Sequence, residues 1–77
     1  MAKVTLTVAD IKAKVKAMLK AYGVAKLNDK SLPHWMNEEN AKMAIGEAKG
    51  LLTDDRYEVS PKTVKAINAW CDTLKYY

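Results

Sequence analysis

"TVADIKAKVKAMLKAYG", residues 7–23, carries its larger apolar side chains at Val8, Ile11, Val15, Met18, Leu19 and Tyr22. Intervals of three and four put them on one stripe of an α-helix, which other parts of the chain must cover. The ends of this helix are marked as well. Thr7 is a good N-cap, and Asp10 three residues later makes a near relative of a capping box, its charge also favoured by the helix dipole. Leu6 ahead of the cap and Ile11 beyond it are spaced for a hydrophobic staple. Gly23 can adopt the left-handed backbone that ends the helix.

Working outward, the period breaks between Val24 and Met36, where "LNDKSLPHW" is rich in turn formers. Ser31 is expected to cap a single short turn holding Pro33. A second helix is predicted from Asn37, whose side chain would cap an acidic first turn of Glu38 and Glu39. Ala41, Ala44, Ile45, Ala48, Leu51 and Leu52 share one of its faces, and Thr53, Asp54 and Asp55 follow as a loop. The third helix starts with Ser60 as N-cap and Pro61 at the first helical position, where its missing N–H is harmless. Val59 and Val64 repeat the staple spacing, and Val64, Ile67, Trp70, Cys71 and Leu74 form the buried stripe. The expected fold is all-α, a small three-helix bundle in one domain over residues 1–77. A two-stranded ribbon between the N-terminal "KVTL" and residues 56–59, "RYEV", is its optional addition, because a lone strand pair is marginal in water.

Composition narrows the function. A chain of 77 residues holds one core, and so small a core gains only a few kcal/mol without staples or association. The single cysteine, Cys71, excludes an internal disulfide framework and fits a reducing compartment. No apolar run reaches the roughly 18 residues of a membrane span, and the N-terminus lacks a signal-peptide core, so a soluble cytoplasmic protein is expected. The formal charge of +4 permits phosphate or acidic partners without requiring them.

Catalysis needs a nucleophile, a base and a group that orients the base. His34 and Cys71 are the sole histidine and cysteine. Cys71 shares a helical stripe with Ile67 and Leu74, which makes it a small core residue, and His34 lies in the connecting segment. Two such ligands leave any metal site short, and no phosphate-loop or EF-hand spacing occurs. The reading is therefore no enzyme, no cofactor, no metal and no small-molecule substrate.

The faces turned from the core carry more. Ala9, Ala13, Ala17 and Ala21 recur every fourth residue as a shallow ridge, with Lys12, Lys16 and Lys20 in a row beside it. Alanine and lysine are good helix formers on a solvated face, yet such a ridge also lets another chain approach closely, rimmed by charge. On the second helix Met43, Gly46 and Gly50 fall on the back. Glycine within an exposed helix costs up to about 1 kcal/mol relative to alanine, so a partner's close approach would give the pair a reason. The terminal Tyr76 and Tyr77 have two options, packing on the helices or facing a partner.

The stretch Val59–Trp70, "VSPKTVKAINAW", resembles the second helix of helix-turn-helix domains, above all the "SPKTVK" type of response-regulator effector domains. The resemblance implies major-groove contact by Lys62, Thr63, Lys65 and Asn68, with lysine on phosphate or guanine and asparagine on adenine. The departures lie just upstream, where "TDDRYE" stands in place of a short helix with a buried aliphatic residue. Asp54, Asp55 and Glu58 would also approach the phosphates. The leading expectation is a non-enzymatic binding or regulatory protein acting through protein contacts. Its partner would be a larger complex, as for the inhibitors and adaptors of phages and mobile elements, or a second copy. Helix-turn-helix DNA binding is the alternative.

Overall fold

The computed structural model describes residues 3–74, within which β1 (Val4–Thr5), α1 (Val8–Ala21), α2 (His34–Leu52), β2 (Tyr57–Glu58) and α3 (Pro61–Thr73) follow in order. The class is mostly α, with a short parallel two-stranded sheet. Val4 pairs with Tyr57 and Thr5 with Glu58, and the Leu6 N–H donates to the Glu58 carbonyl at 3.0 Å. Parallel strands need a crossover connection, which α1 and α2 provide together. The pairing sets the start of α1 beside the end of α2, so these helices run antiparallel, and α3 leaves from the same end to run alongside α1.

The helix ends follow local chemistry. At α1 the Asp10 N–H donates to Thr7 Oγ1 at 3.2 Å and the Thr7 N–H to Asp10 Oδ2 at 2.9 Å, a reciprocal capping box. Hydrogen bonding from Thr7, its backbone N–H first, lowers the Asp10 carboxyl from its ordinary value. At α3 the Thr63 N–H donates to Ser60 Oγ at 3.2 Å, with Pro61 opening the helix. Gly23 has φ +83° and ends α1 as expected. Its N–H donates to the Lys20 carbonyl at 3.0 Å, and that of Val24 reaches back to the Leu19 carbonyl at 2.9 Å. These are the two bonds of a Schellman motif, which folds Val24 over Leu19. Tyr22 leaves the expected stripe, because as C-cap it stands 72% exposed.

The start of α2 differs from the sequence expectation. The helix begins at His34 with Pro33 as N-cap and no side-chain capping bond. Asn37 is therefore a buried residue inside the first turns and not a cap. Its amide donates to the Asp29 carbonyl at 2.9 Å and its carbonyl accepts from the Asp29 N–H at 3.0 Å. The preceding loop consumes that side chain, and Pro33, with its fixed φ, starts the helix earlier. Ser31 caps no turn around Pro33. Its N–H and hydroxyl both donate to Asp29 Oδ1, at 2.9 and 2.7 Å, which holds the Asp29 carboxyl low. Glu38 and Glu39 fall in the second turn and flank Lys42, each at 3.6 Å.

The core joins Leu6, Ile11, Val15 and Leu19 to Ala41, Ala44, Ala48 and Leu51, and to Ile67, Cys71 and Leu74. Alanine dominates the α2 side, so the other helices lie close to its backbone. The contacts of α2 with α1 and α3 are extensive, while α1 and α3 touch each other least. The outline is narrow, 44 × 23 × 16 Å, with a radius of gyration of 13.0 Å. A compact chain of this length averages about 11.5 Å. Among the described residues no helix is long and apolar enough to cross a membrane. Tyr76 and Tyr77 lie outside the described residues.

Candidate functional site

Sparse contact between α1 and α3 leaves an opening along their C-terminal halves. A half-open groove of about 810 Å³ runs there, floored by Val15, Leu19 and Leu74 with Trp70 along one side. One end is closed by Val24 and Leu27, which the Schellman turn at Gly23 folds back over Leu19. Lys16, Lys20 and Lys26 line the same groove, and among the described residues no carboxylate does. Lys12 lies one turn before Lys16, its ammonium 5.4 Å from the centroid of the Trp70 ring. That is cation–π range, so Lys12 covers one face of the indole.

The lysine row expected from spacing is therefore a boundary between two surfaces. Ala9, Ala13, Ala17 and Ala21 lie on its far side, all exposed, as the ridge pattern requires. On its near side is the groove. Among the described residues Lys16 and Lys20 make no ion pair, and Lys26 acts on Asp29 only as a weaker addition to the Ser31 hydrogen bonds. The row thus presents uncompensated positive charge.

The second expected surface is divided. Gly46 and Gly50 are exposed, and a Cβ added at either would meet nothing within 4 Å. Folding alone does not require glycine at either position. Met43 departs from the outward placement expected for it, because it is partly buried and packs against the core. The α2 stripe is wider than its period suggests, since α1 and α3 approach from two sides, and Met43 falls within reach of one of them.

Of the residues named by the helix-turn-helix resemblance, Lys62, Lys65 and Asn68 are exposed and Thr63 is half-buried. The Thr63 Oγ1 accepts from the Ser60 hydroxyl at 3.1 Å, which ties it to the cap. Lys65 and Asn68 border a shallow hollow with Val59, Val64 and Asp72. Upstream, the 3–4-residue turn of that motif is replaced by residues 53–60, which include β2. Asp54 is turned into this segment, its carboxylate accepting from Arg56 Nη2 at 2.7 Å and from the Arg56 N–H at 2.9 Å. Those bonds hold the Asp54 carboxyl down at about 2.

His34 is exposed in the first turn of α2, and Cys71 is fully buried. Among the described residues no three histidine, cysteine or carboxylate side chains converge. Trp35, 64% exposed in the first turn of α2, and Tyr22 at the end of α1 are large side chains left in solvent. The groove itself was missed by periodicity, which treats each helix alone. Its sequence signal is the apolar pair Leu19 and Val24 around Gly23, the side-chain contact that accompanies a Schellman turn. Comparison with protein-family models, with curated protein sequences and with solved structures finds no match, so the candidate surfaces stand on geometry and chemistry alone.

Proposed function

We propose that this chain is an intracellular, non-enzymatic binding module, a small three-helix bundle that acts through protein contacts made by the outward side of α1. The observation that carries this reading is the position of Lys16 and Lys20. Among the described residues they make no ion pair, and they stand between an exposed alanine ridge and an apolar groove. A surface that alternates flat, charged and concave apolar strips suits a protein partner, where a charged rim surrounds an apolar centre. The narrow outline and small core agree with it, because so small a core is marginal and further burial adds to its stability. Gly46 and Gly50, which the fold does not need, mark a second place where a backbone can approach closely. An inhibitor or adaptor of a larger complex is the role this design fits best.

The test places a large side chain where the monomer has room for it. Ala13→Trp and Gly46→Trp should keep the helical circular dichroism and the monomer's cooperative thermal unfolding, while at least one of them abolishes association with the partner or with a second copy. Unchanged association in both variants would overturn the reading.

A further inference from the structure

We infer that the groove between α1 and α3 takes an acidic, amphipathic helical segment of a partner protein, its apolar side chains on Leu19, Val24 and Trp70 and its carboxylates on Lys16, Lys20 and Lys26. This rests on the protein-contact reading and names the partner's chemistry. Three features select it. Among the described residues every ionisable side chain lining the groove is a lysine. A basic or neutral occupant would leave these charges unanswered, whereas carboxylates placed over them steer association and fix register.

The shape matters too. A half-open groove of about 810 Å³ cannot enclose a small ligand on most sides, as small-molecule sites do. A helix laid along it can insert side chains spaced i, i+3/i+4 and i+7 and leave its back in water. The third feature argues against a second copy. A symmetric contact places the same patch on both subunits, so Lys16 and Lys20 of one copy would face those of the other on a chain of net charge +4.

Lys12 and Trp70 give the groove a reporter. The indole lines the groove and lies under the Lys12 ammonium, so an apolar side chain seated beside it changes its emission. Trp35 is 64% exposed, so Trp35→Phe leaves Trp70 as the one tryptophan, excited selectively at about 295 nm, with little change to packing.

The experiment selects displayed random peptides of about 16 residues, long enough for about 24 Å of helix, on the full chain, and titrates the tightest of them into the Trp35→Phe protein. The expected result is enrichment of peptides that combine Asp and Glu with apolar residues at helical spacing, and a shift in Trp70 emission on binding. Lys16→Glu with Lys20→Glu should weaken binding about tenfold or more at low salt and less at high salt. Both lysines are exposed, and circular dichroism checks that the variant folds. Neutral or basic peptides, or binding indifferent to the two lysines with Trp70 unmoved, would overturn the groove. If Ala13→Trp abolishes that binding, the protein-contact reading survives its loss. Self-association that requires Lys16 and Lys20 would replace the partner with a second copy, and preferential binding of duplex DNA there would replace it with nucleic acid; either overturns the inference. Failure to enrich any peptide also overturns it, and if Ala13→Trp and Gly46→Trp leave partner association unchanged too, the broader reading falls with it.

Discussion

Asn37 closes a ring with the backbone of Asp29, its amide donating to the Asp29 carbonyl at 2.9 Å and its carbonyl accepting from the Asp29 N–H at 3.0 Å. One buried side chain thus satisfies both backbone groups of a residue eight positions earlier and pins the loop after α1 to the start of α2. That loop includes Val24 and Leu27, the closed end of the groove. Replacing Asn37 by alanine removes the acceptor of the half-buried Asp29 N–H, while the Asp29 carbonyl keeps the Leu32 N–H at 3.0 Å, at a cost of about 1–3 kcal/mol. Asn37→Ala should lower the urea midpoint accordingly and also loosen residues 24–32, read as faster amide exchange there than in α3. Equal acceleration throughout the chain would mean that the ring does not act locally.

The glycines of α2 give a prediction of opposite sign. Because a Cβ at Gly46 or Gly50 meets open space, alanine at either position should raise stability by about 0.5–1 kcal/mol through helix propensity. Thermal unfolding of the two single variants measures it. A loss of stability would show that glycine is needed within the monomer, which removes the case for a partner's approach at that face.

The core leaves little reserve. A chain of this length has a total stability of about 4–12 kcal/mol, and removing most of a fully buried isoleucine costs about 2–5 kcal/mol. Ile67→Ala and Ile11→Ala, both at positions with 0% exposure, should lose a large part of the cooperative unfolding transition at 37 °C. Ile→Val at either site costs about 0.5–1.5 kcal/mol and should retain it. Differential scanning calorimetry separates the two pairs.

Acid should weaken the fold through three aspartates. Asp54 is held at about 2 by hydrogen bonds from Arg56, against an ordinary 3.8, and Asp10 and Asp29 are lowered by their hydrogen bonds to Thr7 and Ser31. The unfolded chain then takes up protons at a higher pH than the folded one does. Their stabilisation is complete above the unfolded values, about pH 4, and is lost as pH falls through the folded ones toward about pH 2. Urea midpoints taken at about pH 6, 4 and 3 should decline mainly over the last step, and Asp54→Asn should flatten that decline. An unaltered acid limb in Asp54→Asn would assign it to the other two carboxylates.

The DNA-reading alternative separates cleanly by salt. With residues 53–60 holding a strand in place of a tight turn, mixed-sequence duplex should show no affinity that depends on Lys62 and Lys65. Fluorescence anisotropy at low salt, with Lys62→Ala and Lys65→Ala beside the parent, reads this. Binding that falls steeply with salt and drops in both variants would establish the alternative.

Much of the fold is legible where one short stretch settles its own structure. Thr7 with Asp10, Ser60 with Pro61, and Gly23 mark helix ends by chemistry confined to a few residues, and the stripes of α1 and α3 need only a period. Asn37 departs from the cap position that its sequence context suggests for a physical reason. The same amide that makes a good N-cap is equally suited to holding a neighbouring loop, and only the return of Asp29 to its vicinity selects between the two. Met43 fails likewise, since its burial depends on where α1 and α3 lie around α2. The groove is further still from local reading, because Trp70, Leu19 and Val24 come from three segments, and only the Gly23 turn with the sparse contact between α1 and α3 assembles them.

The most direct test of protein contact through α1 is a titration of the nitrogen-labelled chain with the tightest selected peptide, followed by amide and indole resonances. Shifts concentrated at Lys16, Leu19, Lys20, Val24 and the Trp70 indole N–H, with Lys62, Lys65 and Asn68 unmoved, are the predicted result. Shifts centred on Lys62, Lys65 and Asn68, with the outward side of α1 silent, would contradict it.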